Sequence, residues 1–216
     1  MDKDLKLDDC QLMLGDCLER MKEIEDKSID MILCDLPYGT TTCKWDIIIP
    51  FDKLWEQYER IIKPNGAIIL TASQPFTSVL GCSNLEWLKY EWVWDKVRGV
   101  GFQVAKHRPM MQHENILVFG KGKVTYNPQM RAGKKYTVKQ GRGSEVYGNK
   151  DNAVTTVNTG ERYPLTILEF QRDKDKLHPT QKPLELMEYL VRTYTNEGET
   201  VLDNCMGSGT TGVACK

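Results

Sequence analysis

A short segment near the start of the chain combines residue types that could hold a flat ligand carrying an amino group. Asp35-Leu36-Pro37-Tyr38 follows directly on an apolar run and supplies a carboxylate, a stiff turn and an aromatic ring. The Asp35 carboxylate and the Leu36 carbonyl can each accept an amino hydrogen, and the Tyr38 ring can stack on the ligand. The alternative is a turn that ends a strand, in which Asp35 caps the backbone and Tyr38 packs. These four residues alone leave both interpretations open.

Two segments near the other end of the chain could bind charged groups. Gly207-Ser208-Gly209 stands between a short apolar segment and an apparent helix that begins near Thr210. Glycines permit a tight turn and close approach of a ligand, and a helix N-terminus attracts negative charge. Lys182, in the run His178 to Pro183 ahead of another helix, could pair with a carboxylate. The alternative for that run is an ordinary helix start, and neither segment is specific by itself.

The pattern of apolar residues indicates the elements that would position these segments. Ser28 to Cys34 is almost continuously apolar, which is typical of a strand buried on both faces of a parallel sheet. Phe51 to Ile62 has helical spacing and is closed by Lys63-Pro64-Asn65-Gly66. Further strands are predicted at Gln11 to Cys17, Ala67 to Ala72, Leu88 to Trp94, Glu114 to Phe119 and Glu199 to Leu202, and further helices at Leu18 to Ile24, Gln74 to Leu80 and Pro183 to Tyr194. This alternation predicts an α/β fold with the tetrapeptide at the carboxyl edge of a sheet, where open sheets bind ligands.

The character of the chain changes from Lys121 to about Lys176. Periodicity disappears there, and glycine, asparagine, threonine, tyrosine and lysine dominate. Residues 121–150 contain eight Lys or Arg but only one acid, Glu145. A solvated or disordered loop is the simplest interpretation, and contact with a polyanion is the alternative.

Composition limits the classes of function. The 216 residues carry a formal net charge of -1, so any surface for nucleic acid must be local. Seven cysteines form no C-x-x-C pair and only three histidines are present, so we predict reduced thiols and no metal site. No apolar run approaches membrane-spanning length, and Met1 to Lys6 is charged with no apolar stretch behind it. These features predict a cytoplasmic protein without a membrane partner.

The order of the three segments resembles the β-group of amino-methyltransferases that act on DNA, many of which occur in bacterial restriction systems and phages. In that family a catalytic tetrapeptide precedes the target-recognition region, and a glycine-rich cofactor loop comes near the C-terminus. Asp35 to Tyr38 matches the tetrapeptide, and Asp203 to Thr211 matches the cofactor loop. The likeness covers nearly the whole chain except roughly 123 to 176, and its other matching segments are Gly15-Asp16, Trp94-Asp95-Lys96, His113-Glu114 and His178 to Pro183.

The resemblance implies a fold and a reaction. The fold is the Rossmann-like S-adenosylmethionine-dependent methyltransferase fold, with a mostly parallel sheet, a circularly permuted motif order and an inserted target-recognition region. Residues 1–120 would form the catalytic half, 121–177 the insertion, and 178–216 a cofactor-binding half that is incomplete at its C-terminus. The reaction would be methyl transfer to the exocyclic amino group of adenine in double-stranded DNA, with the base flipped out of the duplex. Aspartate in the first position resembles the adenine-specific pattern, and the amino group of cytosine is the alternative.

The site residues implied by the resemblance form three groups. Asp35, Leu36, Pro37 and Tyr38 would hold the target base, while Cys34 beside them would be core and not a nucleophile. The cofactor residues would be Asp16, Thr180, Lys182, Asp203, Cys205, Gly207, Ser208, Gly209, Thr210 and Thr211. Of these, Asp16 would lie near the adenine of the cofactor, Asp203 at its ammonium group and Lys182 at its carboxylate. The candidate DNA contacts are Lys96, Arg98, Lys106, Arg108, Arg131, Lys134, Lys135, Lys139 and Arg142.

The sequence departs from the family pattern in three places. Leu36 stands where proline is usual, which keeps the backbone carbonyl but loosens the geometry. Asn204 and Cys205 stand where proline and phenylalanine usually follow the aspartate, so cofactor packing should be weaker. The chain stops at Lys216, inside the helix after the cofactor loop, so no acid for the ribose hydroxyls can be assigned and two strand edges should lack a partner.

Several alternatives follow from these departures and from the family. The missing segment makes a truncated, non-catalytic DNA-binding remnant an alternative to an active enzyme. RNA and protein-glutamine methyltransferases share the tetrapeptide but usually place the glycine loop before it, so the motif order disfavours them. Family members are often dimers, and a homodimer is therefore a further expectation.

Overall fold

A computed structural model describes residues 4–140, 154–174, 177–178 and 180–216. The chain divides into two compact units, of which the first comprises Met1–Asn127 with Thr166–Lys216 and the second comprises Pro128–Leu165. The second unit therefore lies within the segment 121–177 that the sequence sets apart. No helix among the described residues is long and apolar enough to cross a membrane.

The elements of the first unit alternate along the chain, and the second unit is built from short strands. The strands are β1 (Leu5–Leu7), β2 (Cys10–Leu12), β3 (Ile29–Cys34), β4 (Ile62–Ala72), β5 (Leu88–Val100), β6 (Met111–Phe119), β7 (Arg131–Ala132), β8 (Tyr136–Gln140), β9 (Val154–Asn158), β10 (Glu161–Arg162), β11 (Ile167–Glu169) and β12 (Val201–Leu202). The helices are α1 (Cys17–Met21), α2 (Phe51–Ile61), α3 (Phe76–Ser83), α4 (Leu184–Tyr194) and α5 (Thr210–Ala214), with a 3-10 turn at Phe102–Val104.

A six-stranded sheet forms the centre of the first unit, in the order β11-β5-β6-β4-β3-β12. The pairs β11–β5, β4–β3 and β3–β12 are parallel, whereas β6 is antiparallel to both β5 and β4. Five strands therefore run in one direction and β6 alone is reversed. This arrangement confirms the predicted α/β fold with a mostly parallel sheet.

Helices cover both faces of the sheet because β3 and β4 are apolar on both sides. Every residue of β3 is buried, and successive side chains enter two different cores. Ile32 and Cys34 pack with α2 and α3, while Met31 and Leu33 pack with α4. The near-continuous apolar run is thus explained by a strand between two helical layers.

The first predicted strand is wrong in its extent and its pairing. Gln11 to Cys17 was expected in the main sheet, but only Cys10–Leu12 is extended, and it pairs antiparallel with β1. The turn between β1 and β2 contains Asp8 at a φ of 50°, a conformation that suits a tight hairpin and that aspartate tolerates. In the described part of the chain β12 pairs with β3 alone and forms the edge of the six-stranded sheet.

The described part of the second unit contains two small antiparallel sheets, β8–β9 and β10–β7. The Arg162 side chain joins them locally, since its guanidinium lies 4.6 Å from the Tyr136 ring centroid and bonds Asn158 Oδ1 and the Lys134 carbonyl. Ordered strands in a segment without periodicity are a finding that the sequence does not predict.

Candidate active site

The tetrapeptide stands at the carboxyl end of β3, as predicted. Asp35 leaves the strand, Leu36 is buried in the core, and the Tyr38 ring stacks on Phe76 of α3 with centroids 5.1 Å apart. The Tyr38 hydroxyl donates to Asp35 Oδ1 at 2.7 Å, and the Thr71 hydroxyl at the end of β4 donates to the same oxygen. The carboxylate is therefore fixed by two neutral donors, one in the loop after β3 and one on the adjacent parallel strand β4.

Lys182 connects the C-terminal part of the chain to this carboxylate. Its Nζ lies 2.7 Å from Asp35 Oδ2 and 3.4 Å from Glu114 Oε2. Glu114 begins the apolar part of β6 and also bonds Lys96 Nζ through Oε1 at 3.1 Å. Because β6 runs against its neighbours, its first residues lie at the same edge as the ends of β3 and β4. The result is a row of alternating charges, in the order Asp35, Lys182, Glu114 and Lys96.

Burial and charge act in opposite directions on the two lysines. Burial by itself would lower the pKa of Lys182, but the carboxylates of Asp35 and Glu114 outweigh it and raise the pKa. Burial lowers the pKa of Lys96, and the single neighbouring carboxylate of Glu114 opposes this only in part. Lys182 therefore stays a cation at neutral pH.

The expectation that Lys96 contacts DNA is wrong. Its side chain is inside the protein, with a relative exposure of 3% for the residue, and its ammonium is paired with Glu114. In the sequence, Lys96 stands in a basic stretch because Arg98 follows two residues later. Lys96 follows the buried Trp92 and Trp94 at every second position of β5, so alternation along the strand turns it inward.

The other candidate DNA contacts that the structure describes are exposed. Arg98 ends the exposed part of β5, and Lys106 and Arg108 lie in the connection to β6. Arg131, Lys134, Lys135 and Lys139 are exposed in the second unit. Arg142 lies outside the described residues. Exposure makes these side chains available to phosphates, and their contact with DNA stays a prediction.

The glycine loop follows β12, which is the immediate neighbour of β3. Asp203 Oδ1 accepts a hydrogen bond from the Cys205 amide at 3.0 Å, and Oδ2 accepts from the Thr211 hydroxyl at 2.6 Å. Gly207 and Gly209 have φ angles of 51° and 78°, which other residues rarely adopt. The Ser208 and Thr210 hydroxyls lie 3.1 Å apart, and the helix α5 begins at Thr210 as predicted. This loop therefore lies beside the tetrapeptide at one edge of the sheet.

The loop has room and charge for a cationic ligand. A side chain built at Gly207 would meet nothing nearer than the Cys205 carbonyl, at 4.0 Å, so the space in front of the turn is open. Burial raises the pKa of Asp203, although the Thr211 hydroxyl and the Cys205 amide partly counter this effect. Both of those donors are neutral, so an ammonium group would compensate the charge of this partly buried carboxylate. The residues present therefore fit the amino acid part of the expected cofactor.

Two other predicted cofactor residues have local contacts of their own. Asp16 Oδ1 accepts from the amides of Leu18 and Glu19 at 2.9 and 3.3 Å and so caps α1. Thr180 is exposed, with its hydroxyl 3.0 Å from His178 Nδ1. Their roles at the cofactor stay predictions.

Three thiols are located beneath the site. Cys34 is fully buried and packs in the same core as Cys17 and Cys205. Burial raises the pKa of Cys34 to about 11, so its thiol is protonated at neutral pH. Cys34 is a core residue, as expected. In the described ranges, no group of three or more His, Cys, Asp or Glu residues is arranged to hold a metal ion.

Three residues that support the site carry no motif in the sequence. Thr71 is a lone polar residue in the apolar run of β4, and that anomaly could have singled it out. Glu114 opens an apolar strand and was noted only as a family likeness. Asp46 accepts from the amides of Gly39, Thr40 and Thr41 at 2.8, 2.9 and 2.7 Å and so orders the loop that follows Tyr38. Trp45 in that loop is exposed, with its ring 5.7 Å from that of His178.

The sheet order and the two loops at one of its edges define a Rossmann-like methyltransferase fold. Residues 29–216 match the DNA methylase family of N6 and N4 methyltransferases, and the chain therefore belongs to that family.

Curated relatives and solved structures show the same likeness. The chain is 29% identical over 227 residues to the Type II methyltransferase M.HpaI of Haemophilus parainfluenzae, covering 96% of this chain and 67% of that protein. It is 29% identical over 224 residues to the Type II methyltransferase M1.MboII of Moraxella bovis, covering 93% of this chain and 85% of that protein. The crystal structure of the M1.HpyAVI–SAM complex superposes with a TM-score of 0.59 at 25% identity, covering 93% and 85% of the two chains. The cytosine-N4-specific PvuII DNA methyltransferase superposes with a TM-score of 0.67 at 14% identity over 94% and 76%, which shows the fold alone.

Proposed function

We propose that this DNA methylase transfers a methyl group from S-adenosylmethionine to the exocyclic amino group of adenine in double-stranded DNA. One observation carries the proposal. Asp35 and Asp203 follow two neighbouring parallel strands at the same edge of the sheet. The partly buried carboxylate of Asp203, beside the open glycine turn, therefore lies next to the carboxylate of Asp35, which is beside the Tyr38 ring. A base and an amino acid ligand can therefore be held next to each other.

The glycine loop is the proposed cofactor site. Asp203 would receive the ammonium group of the cofactor, and the backbone at Gly207 to Gly209 would approach it closely because side chains are lacking there. When bound, S-adenosylmethionine supplies an electrophilic methyl group on a sulfonium. The structural neighbour M1.HpyAVI was crystallised as a complex with this cofactor, which supports the proposal.

The tetrapeptide is the proposed base site. An exocyclic amino nitrogen is a poor nucleophile because its lone pair is delocalised into the ring. Asp35 and the Leu36 carbonyl would accept its two hydrogens, which favours a pyramidal nitrogen and stabilises the positive charge that develops there. The base must leave the duplex to reach these acceptors. Cys34 takes no part, since its thiol is buried and protonated.

Adenine is proposed over cytosine because aspartate occupies the first position of the tetrapeptide. The direct measurement is mass spectrometry of nucleosides from DNA of a methylation-deficient host after incubation with the protein and cofactor. N6-methyladenine is the expected product. If N4-methylcytosine is found instead, the target base is cytosine and not adenine, and the proposed methyl transfer still holds.

The cofactor and base sites are tested separately by Asp35→Ala. Calorimetric titration with S-adenosylmethionine should give similar affinities for the wild type and the variant, because Asp35 is assigned to the base. Methyl transfer by the variant should fall by at least about a hundredfold, since an acceptor for the developing charge is lost. A folded wild-type chain that binds DNA and not the cofactor would contradict the proposed function and identify a DNA-binding remnant.

A further inference from the structure

The ammonium of Lys182 contacts both of the side chains to which the proposed base is assigned. It lies 2.7 Å from Asp35 Oδ2 and 5.5 Å from the centroid of the Tyr38 ring. The other carboxylate oxygen, Oδ1, already accepts the hydroxyls of Tyr38 and Thr71. Both oxygens of the carboxylate therefore already have donors before an amino group enters. The donor to Oδ2, the oxygen that is otherwise available to the base, is a cation.

This arrangement opposes the proposed reaction. Methyl transfer places positive charge on the amino nitrogen, and an ammonium on the same carboxylate oxygen would repel that charge. The pKa of Lys182 is raised, so the lysine cannot relieve the repulsion by losing its proton at neutral pH. The ammonium must therefore move away from Asp35 when the base is loaded.

Glu114 provides an acceptor for the displaced ammonium. The residue has a relative exposure of 9%, and its Oε1 is bonded to Lys96. Its Oε2 is buried and, among the described residues, has no hydrogen-bond partner of good geometry. Lys182 Nζ lies 3.4 Å from this oxygen, so a small rotation of the lysine side chain brings it to hydrogen-bond distance. A buried carboxylate oxygen without a donor is unfavourable, which favours that rotation.

We propose that Glu114 is a positioning residue that takes Lys182 from Asp35 when the target base enters the site. This inference rests on the proposed function. Lys182 exchanges Asp35 Oδ2 for Glu114 Oε2, and Asp35 becomes free to hold the amino group. No proton moves, because two carboxylates and two ammoniums remain in the row before and after the exchange. Lys96 stays on Oε1 and keeps Glu114 in place.

The test compares Glu114→Gln with the double variant Glu114→Gln/Lys182→Met. The amide cannot compete with Asp35 for the ammonium, so the single variant should lower the single-turnover methylation rate by at least about tenfold. The double variant has no ammonium to displace and again has equal numbers of acids and bases in the row. It should recover to within about threefold of the wild-type rate. A residue with a merely structural role would give a double variant as slow as the single one or slower.

Asp30→Asn is the matched control. Asp30 lies at the opposite end of β3, is also buried, and is paired with Lys63 at 2.7 Å. Its loss removes a half-buried ion pair away from the site, so the methylation rate of this variant should stay within about twofold of wild type after correction for the folded fraction. Thermal unfolding of every variant supplies that correction.

Cofactor titration of Lys182→Met supplies a readout apart from activity. An affinity for S-adenosylmethionine near that of the wild type is expected, because Lys182 serves the base side. A large loss of affinity would assign Lys182 to the cofactor carboxylate and overturn the inference. An active wild type with an equally active Glu114→Gln would overturn it as well. A wild type that neither binds cofactor nor methylates DNA would instead remove the proposed function, and this inference with it.

Discussion

The ring and the hydroxyl of Tyr38 each contribute to the proposed base site, and substitutions can separate the two contributions. Its ring packs on Phe76, and its hydroxyl donates to Asp35. Burial first, and then the Asp35 charge, raise the pKa of Tyr38, so the hydroxyl remains a donor well into the alkaline range. Tyr38→Phe should lower single-turnover methylation by about tenfold, because only an orienting hydrogen bond is lost. Tyr38→Ala also loses the ring and should cost about a hundredfold. Equal losses would show that the ring contributes nothing to the base site.

The partly buried carboxylate of Asp203 should make stability depend on pH. Its pKa is raised from the ordinary value of 3.8, mainly by burial. The folded state then binds the proton more readily than the unfolded state, so this contribution to stability is greatest at low pH. It is lost as the pH rises from about 3.8 through the folded-state pKa.

Asp203→Asn removes that dependence. The melting temperature of the variant relative to wild type should therefore increase between pH 4 and pH 7, while cofactor affinity falls because the charge is missing. Asp9→Asn, which changes an exposed carboxylate in the hairpin, is the control and should show a smaller trend. If the difference in melting temperature between Asp203→Asn and wild type is constant with pH, burial does not raise the pKa of this carboxylate.

The sequence predicts the site residues that carry a motif and misses those that only support it. Asp35, Tyr38 and Asp203 stand in short patterns whose chemistry is readable. Thr71 and Glu114 lie in strands, and their contacts depend on which strands become neighbours, which spacing along the chain does not reveal. Lys96 was assigned to the surface for the same reason, since its partner is supplied by a strand that lies beside it only in the folded sheet.

At the scale of single elements, the loop after Tyr38 depends on one carboxylate. Burial opposes the charge of Asp46, but the Thr41 hydroxyl and the amides of Gly39, Thr41 and Thr40 outweigh it and lower the pKa. Its contribution to stability is therefore present above an ordinary pKa of 3.8 and is lost as the pH falls through the lower folded-state value. We expect Asp46→Asn to lower the free energy of unfolding at pH 7 by about 1–3 kcal/mol, because an amide oxygen is a weaker acceptor than a carboxylate for the three backbone amides.

Urea unfolding at pH 7 and at pH 3 checks the Asp46 prediction. The difference between Asp46→Asn and wild type should shrink at the lower pH, where the wild-type carboxylate becomes protonated. Asp52→Asn, which changes an exposed carboxylate in the first turn of α2, is the control. If the two variants lose the same stability, the hydrogen bonds from the three backbone amides to Asp46 do not order the loop.

Long periodic elements are predicted well, and short edge elements are not. Phe51–Ile61 and Leu184–Tyr194 lie within one residue of their predicted limits because their amphipathic pattern is strong. The strand β11 is three residues long and is not predicted, because pairing with a neighbour, rather than its own composition, makes it a strand. Of the predicted strand Glu199 to Leu202, only Val201–Leu202 forms β12. β5 continues to Val100 past a run of charges because Met111 to His113 pair with it.

At the scale of the whole molecule, a net charge of -1 requires that DNA be bound by a local basic surface. The exposed Lys134 and Lys135 of the second unit belong to the proposed surface. Lys134→Ala/Lys135→Ala should weaken DNA binding at low salt and make the slope of log affinity against log salt shallower by about two. Lys89→Ala/Lys123→Ala, which changes two exposed lysines at the opposite edge of the sheet from the tetrapeptide, should leave that slope unchanged. Fluorescence anisotropy of a labelled duplex at several salt concentrations measures both, and equal slopes for the two pairs would exclude Lys134 and Lys135 from the surface.

The overall organisation was predictable because the order of the motifs is a property of the chain. That order predicted an α/β domain interrupted by an insertion. The strands of the inserted unit were not predictable, because polar and glycine-rich sequence shows no periodicity and its pairing is determined only on folding.

The residues of the proposed active site are supplied by both sides of the inserted unit. Asp35 and Glu114 precede it, whereas Lys182 and Asp203 follow it, and 147 positions separate Asp35 from Lys182. A chain cut within the inserted unit would give two pieces, one with the base acceptor and one with the glycine loop, and neither would hold both reactants. If the two pieces were fused to two interacting proteins, they would methylate DNA only where those proteins bind each other. The fold could therefore be divided to give a sensor of protein–protein interaction whose signal is methylated DNA.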